Sequence, residues 1–202
     1  MLKNRRQLFD IGVAGPLAGL VVAIPALVLG LKWSQVLPAD PVGGGHMSHG
    51  VSVNASMLLA FISKLALGEA TSQGHYLVLH PLAFAGWLGV MITALNLLPV
   101  GQLDGGHIAH ALFGRARAGW IGKVALGGMV VLGLFVWPGL ITWALIVYFI
   151  AGRPGIPPLD DVTILDGKRR AVGWFAFTLL AAILLPLPHA LSSSFGLHCP
   201  YL

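Results

Sequence analysis

The chain has 202 residues, 56% of them hydrophobic and only 9% charged, with a mean hydropathy of +0.84. A soluble domain carries roughly 25% charged residues, so this composition excludes a water-soluble globular protein and points to one that lives in a bilayer. The net charge of +5 does not imply nucleic acid, because most basic residues flank apolar runs in three clusters (Lys3, Arg5, Arg6; Arg115, Arg117, Lys123; Lys168, Arg169, Arg170) and form no aromatic-interleaved basic patch.

The first apolar run, Ile11 to Leu31, is long enough for one membrane-spanning helix. It is too long and too rich in glycine and proline for a signal peptide, and no small-residue cleavage site follows. Gly15 and Gly19 suit close helix approach, and Pro16 and Pro25 suit a bend. A polar, Gly/Pro-rich loop from Lys32 to Ser56 follows. Met57 to Leu67 is too short to span, which predicts a surface or re-entrant helix. A second span is predicted from about Tyr76 to Leu98, and a short helix over "GHIAHALFG" after it.

Val124 to Ile150 is interrupted by "WPG" at Trp137 to Gly139. It reads either as one kinked span or as two pieces too short to cross alone. A polar loop and a last apolar run, Ala171 to Leu187, complete the pattern. The fold class is all-α and polytopic, with four or five membrane segments. Charge bias does not choose between those numbers, because a single third span would place Lys168 to Arg170 opposite the other basic clusters.

The chain has seven Asp and Glu residues in all. One of them, Asp104, stands at the mouth of an apolar run in "NLLPVGQLDGGH", residues 96 to 107. A carboxylate beside hydrocarbon is costly and usually functional, although Asp104 could simply cap the following helix. Asn96, Pro99, Leu103, Asp104 and Gly105 reproduce the pattern N-x-x-P-x-x-x-L-D-G in full. This resembles the site-2 protease family of intramembrane zinc metalloproteases. "NRRQLFDIGVAGPLAGL", Asn4 to Leu20, and "PPLDDVTILDGKRR", Pro157 to Arg170, look like the corresponding segments of its cyanobacterial and chloroplast branch.

The resemblance covers most of the chain and implies a single membrane-embedded domain over residues 1–202, the C-terminal portion of such a protease. It implies zinc as cofactor with Asp104 as the metal ligand. Asn96, Pro99 and Gly105 would shape the site, and a transmembrane protein or peptide would be the substrate within the lipid bilayer. Asn96 would hold the substrate strand or polarise its carbonyl, or else make a hydrogen bond across helices. The family's other two ligands are histidines of an HExxH whose Glu is the general base. No His here is followed by Glu, and the only Glu is Glu69. No catalytic residue is therefore assigned in this chain.

The HExxH is expected before the segment resembling Asn4 to Leu20, so the chain reads as a truncated enzyme. The alternative is a catalytically inactive homologue that binds membrane helices. A small transporter using Asp104 as an ion site would leave the five-position motif unexplained. His107 and His110 share a helical face with Asp104 nearby, and the loop carrying His46, Met47 and His49 has donors suited to copper or nickel. Ordinary interfacial and loop roles are the simpler readings of both. Histidine boxes of the di-iron desaturase kind are missing.

Overall fold

The computed structural model describes residues 4–38, 56–68, 75–135, 139–152, 159–160 and 163–184. Seven helices and two short strands occur among them: α1 (Arg5–Lys32), β1 (Gln35–Pro38), α2 (Met57–Leu67), β2 (His75–Val78), α3 (Pro81–Leu97), α4 (Asp104–Phe113), α5 (Arg115–Phe135), α6 (Gly139–Ala151) and α7 (Gly167–Leu184). The all-α expectation therefore holds apart from one antiparallel ribbon, in which Gln35 pairs with Val78 and Pro38 with His75. Chain contacts divide the protein into two units, Met1–Ala18 with Thr93–Leu180, and Gly19–Ile92 with Ala181–Leu202.

In the second unit, α1 and α3 approach to backbone contact. A side chain at Gly30 would overlap the backbone of Ala83, and one at Gly86 would overlap that of Leu27. A Cβ at Gly89 would lie 2.9 Å from the Ala23 side chain. Small residues at helix crossings allow this approach, which gains dispersion contacts where lipid offers no hydrophobic driving force. Ser34, just past α1, donates its hydroxyl to the Gly30 carbonyl (2.8 Å) and accepts the His80 N–H (3.0 Å). The His80 ring nitrogen Nδ1 accepts the Leu82 N–H at 3.2 Å and stands edge-on to Trp33. Pro81 is then the first helical residue, a position where its missing N–H costs nothing.

That arrangement shortens the predicted second span. Tyr76 to Val78 are strand, and α3 proper has 17 residues, because the residue before a proline is biased away from helix. The predicted Met57 to Leu67 helix forms with those bounds. Ser56 caps it by accepting the Leu59 N–H at 3.4 Å and reaches the Ala182 carbonyl at 3.3 Å.

In the first unit, α1 starts at a capping pair: Asn4 Oδ1 accepts the Gln7 N–H at 2.9 Å. Val124 to Ile150 resolves into two helices. The first, α5, begins earlier than its apolar run, immediately after Gly114, whose φ of +82° ends α4. Similarly, α7 takes Lys168 to Arg170 into its first turns; residues 185–187 of the predicted run lie outside the described ones, as does Trp137.

The segments around Asn4–Asp10 and Asp160–Arg170 meet. A parallel bridge joins Asn4 to Asp160, and Arg6 Nε donates to the Ile164 carbonyl at 3.3 Å. Arg169 grips both Asp10 oxygens at 2.8 Å and Asp166 at 2.7 Å. Further along, a Cβ at Gly173 would lie 2.7 Å from Leu112 and 3.0 Å from Phe9.

Among the described residues two helices, α1 and α5, are long and apolar enough to cross a membrane. The other apolar helices are shorter, so four or five spans are not reached by that measure. Only 11% of the apolar window of α5 is buried. Phe135 is 84% exposed, and Phe149 on α6 is 76% exposed, an apolar surface that water would penalise.

Two measurements check this packing. Gly86→Ala should lower resistance to denaturant in detergent by about 1–3 kcal/mol through overpacking, whereas Gly127→Ala, with open space around it, should be neutral or slightly stabilising. The Arg169 hydrogen bond holds the Asp166 carboxyl below its usual range. A carboxylate depressed in the folded state stabilises above its unfolded value and loses that effect as pH falls through the folded one. The melting temperature should therefore decline below about pH 4, and decline less steeply in Asp166→Asn.

Candidate active site

Asp104 is held by three pieces of the first unit. The first is the irregular link between α3 and α4. After Leu97 the helix stops. Val100 N–H bonds the Leu98 carbonyl at 2.7 Å, and Leu103 N–H bonds that of Val100 at 3.1 Å. Gly101 adopts φ +46°, in the left-handed region where a side chain would be strained. Gln102 N–H donates to the Ala151 carbonyl at 3.1 Å, tying the link to the end of α6. A side chain at Gly122 of α5 would come within 3.0 Å of the Pro99 carbonyl, so α5 packs directly on the motif.

The second piece is the first turn of α4. A side chain at Gly105 would overlap the carbonyls of Leu97 and Leu98, and one at Gly106 would overlap that of Gly101 and come within 2.8 Å of that of Val100. The two glycines let α4 start almost on top of the chain that precedes it. The third piece is α1. A Cβ at Gly12 would lie 3.0 Å from both the Asp104 carbonyl and His107 Cβ, and a Cβ at Gly15 would lie 3.1 Å from Asp104 Oδ2. Glycines three apart share a helix face, and here that face meets the carboxylate.

Asp104 is half-buried. It is the first residue of α4, not its cap: Leu103 holds the cap position, with no side-chain hydrogen bond. Among the described residues no hydrogen bond or ion pair engages the Asp104 carboxylate, so capping does not explain it. Its place in the first helical turn still favours negative charge through the helix dipole. Burial pushes its pKa up from the usual carboxylate range, and the nearby His107 ring opposes that rise. Burial likewise pushes His107 down, while Asp104 pulls it up and His110 lowers it further. Helix α4 has ten residues, too few to cross a bilayer.

Asn96 is exposed near the end of α3, Pro99 is half-buried in the link, and Gly105 is buried in the first turn of α4. The structure thus brings Pro99, Gly105 and Asp104 into one packed unit and leaves the Asn96 side chain exposed. No hydrogen bond to that side chain occurs among the described residues, so the structural bond across helices has no support there. Gly12 escaped the sequence reading; its spacing from Gly15 was the available signal. His46, Met47, His49 and Glu69 lie outside the described residues.

A catalytic zinc takes three protein ligands and keeps one position open. Asp104 fits one of those ligand positions, as a carboxylate with lone pairs unspent. Among the described residues no three His, Cys, Asp or Glu side chains converge, so His107 and His110 do not complete a cage with it. The described residues offer one candidate ligand and not a whole site.

Residues 1–136 match the family model described as peptidase family M50. The chain belongs to that family. This M50 chain is 34% identical over 201 residues to the probable zinc metalloprotease EGY1, chloroplastic, of Arabidopsis thaliana, covering 98% of itself and 35% of that protein. It is 32% identical over 216 residues to the probable zinc metalloprotease EGY3, chloroplastic, of Oryza sativa subsp. indica, covering 100% of itself and 36% of the relative. It is also 35% identical over 151 residues to the DDT domain-containing protein PTM of Arabidopsis thaliana, covering 73% of itself and 8% of that protein. The M50 chain spans about a third of the length of the chloroplastic relatives. No solved structure matches it.

Gly105→Ala should cost about 1–3 kcal/mol of stability through backbone overlap. Gly15→Ala, whose new methyl meets only a side-chain carboxylate, should cost less than about 1 kcal/mol. Denaturant titration of both variants in one detergent checks the order, and equal losses would contradict the close seating of α4 described above.

Proposed function

We propose that this chain is the Asp-bearing portion of a zinc-dependent protease acting on membrane-embedded peptides. Membership of the M50 family and the metalloprotease names of its relatives support that reading. The observation that carries it is the half-buried Asp104 carboxylate, which faces Gly15 of α1 and which no hydrogen bond or ion pair among the described residues engages.

When bound, zinc would supply a water acidified toward a pKa of about 7 and polarise the scissile carbonyl. The chain's own contributions are distinct from that. Asp104 offers a charged oxygen that a divalent ion would neutralise, which offsets the penalty of a carboxylate near hydrocarbon. Gly12 and Gly15 let α1 approach it closely without a side chain between. The irregular link from Leu98 to Leu103 carries backbone groups at a place where non-helical structure is tolerated because protein surrounds it. Asn96, exposed where α3 ends, presents an amide able to hold an extended peptide.

The protein is multi-pass in this reading, as a single membrane-embedded domain over residues 1–202. Exposed apolar side chains along α5 and α6 support it. So does the charge distribution. Arg5 Nη2 donates to the His110 carbonyl at 3.3 Å, near the start of α5, and Arg169 pairs with Asp10. All three basic clusters thus belong at one end of the first unit, as the positive-inside rule asks if α5 and α6 return the chain to the same side.

The second reading, a homologue that holds membrane helices without cutting them, draws on the single ligand among the described residues. One experiment separates the two. The chain, joined to a segment that supplies the HExxH the protease reading requires, is reconstituted in liposomes with a single-span peptide, and cleavage and photo-crosslinking are followed with and without a zinc chelator. The protease reading expects chelator-sensitive cleavage that falls on the order of 100-fold or more in Asp104→Asn, since even outer partners of ligands cost up to about 100-fold. Crosslinking without cleavage, indifferent to Asp104, would favour the second reading.

A further inference from the structure

The link between α3 and α4 carries one polar side chain that the site has so far left without a role. Gln102 is exposed, and no hydrogen bond to its amide occurs among the described residues. Its backbone is fixed on both sides. The Gln102 N–H is held by the Ala151 carbonyl at 3.1 Å. Gly101 before it turns at φ +46°, and the Leu103 N–H after it is held by the Val100 carbonyl at 3.1 Å. Of the other described Asn and Gln residues, Asn4 and Gln7 lie at the basic end of α1, and Gln35 lies in the ribbon. Asn96 and Gln102 remain, on either side of Pro99, with Asp104 two residues further on.

The level of Gln102 along the helices makes that exposure costly. Gly122 of α5 meets the link at Pro99, and Ala151 of α6 meets it at Gln102. Gly122 lies thirteen residues before Phe135, and Ala151 lies twelve after Gly139. At a rise of about 1.5 Å per residue, both stand about 18–20 Å from the segment joining the two helices. Arg115 lies seven residues to the other side of Gly122, about 10 Å away. With α5 as a span, Gln102 therefore sits within the hydrocarbon layer, about a third of the way in from the basic end. An amide at that depth loses water and needs another polar partner. Lys123 shares the level, but its long stem lets the ammonium reach back toward the boundary. An amide on a backbone tied at both sides lacks that reach.

We infer that the Gln102 amide holds the main chain of a membrane peptide that has unwound into an extended strand beside Asp104. A primary amide offers one accepting oxygen and two N–H donors, which match the N–H and C=O of one extended residue. A helical peptide has already spent those groups on itself. The match therefore selects unwound chain and is blind to side chains. The inference rests on the part shared by both readings above, that a membrane peptide reaches the link, and it needs no metal. Gln102 becomes a substrate-binding residue, aimed by the Ala151 carbonyl that fixes its backbone.

Photo-crosslinking of the 202-residue chain in liposomes tests this, with a single-span peptide carrying photo-leucine at one central position. Adducts are mapped by mass spectrometry and should concentrate on the link from Val100 to Asp104. At subsaturating peptide, Gln102→Leu should lower the yield about tenfold, as expected for the loss of two hydrogen bonds. Gln102→Asn, which keeps the amide on a shorter stem, should lose less. Gln7→Leu, at an exposed glutamine on the first turn of α1, should change nothing. Denaturant midpoints of all three variants should match that of the parent chain, so a lost adduct is not a lost fold. The same peptide stapled into a helix should show no dependence on Gln102; equal dependence would overturn recognition of unwound main chain. Adducts on the link with an unchanged yield in Gln102→Leu would overturn the role of Gln102 and leave the peptide reading standing. Adducts nowhere on the link would overturn both.

Discussion

The first turn of α4 rests on the carbonyls that end α3, and everything around Asp104 depends on that contact. Two helices joined by a six-residue link cannot ordinarily start and stop so close together, because a Cβ on either would strike the other's backbone. Gly105 and Gly106 remove the obstacle, and Gly101 supplies the left-handed turn that folds the link back. The same economy recurs where α1 passes over α4 at Gly12 and Gly15. A charged side chain is thereby placed beside Gly15 of α1, half-buried and with no hydrogen-bond or ion-pair partner among the described residues.

Stability and site chemistry pull in opposite directions here. An unpaired, half-buried carboxylate is unfavourable for folding, and the helix dipole compensates only in part. The fold tolerates it because unit-wide packing is secure elsewhere: the Asn4 cap, the Arg169 pairs and the Gly173 contact with Leu112 and Phe9 all hold α1 and α7 in place.

Much of this was legible in the sequence, and what was missed has identifiable causes. The Met57–Leu67 helix could be read to the residue because Ser56 and Gly68 punctuate it. The start of α3 could not, since hydropathy counts an apolar strand and an apolar helix alike; Pro81 was the overlooked boundary. The starts of α5 and α7 were hidden by their basic residues, which a hydropathy reading assigns to loops although Arg and Lys are good helix formers. In the site, Asp104, Pro99 and Gly105 were visible through their fixed spacing. Gly12 was not, because small residues in membrane helices nearly always mean packing, and only the folded chain shows that its neighbour is a carboxylate.

The ion pair between Asp10 and Arg169 joins residues 159 apart in sequence, and the second unit's residues 19–92 are strung between the two parts of the first. Contacts of such long range are made late, after the loop-closure entropy of the intervening chain has been met. The contact of Gly12 and Gly15 with α4 closes a loop of about ninety residues, and the Asp10–Arg169 pair then fastens the same turns of α1 to a helix from the far end of the chain.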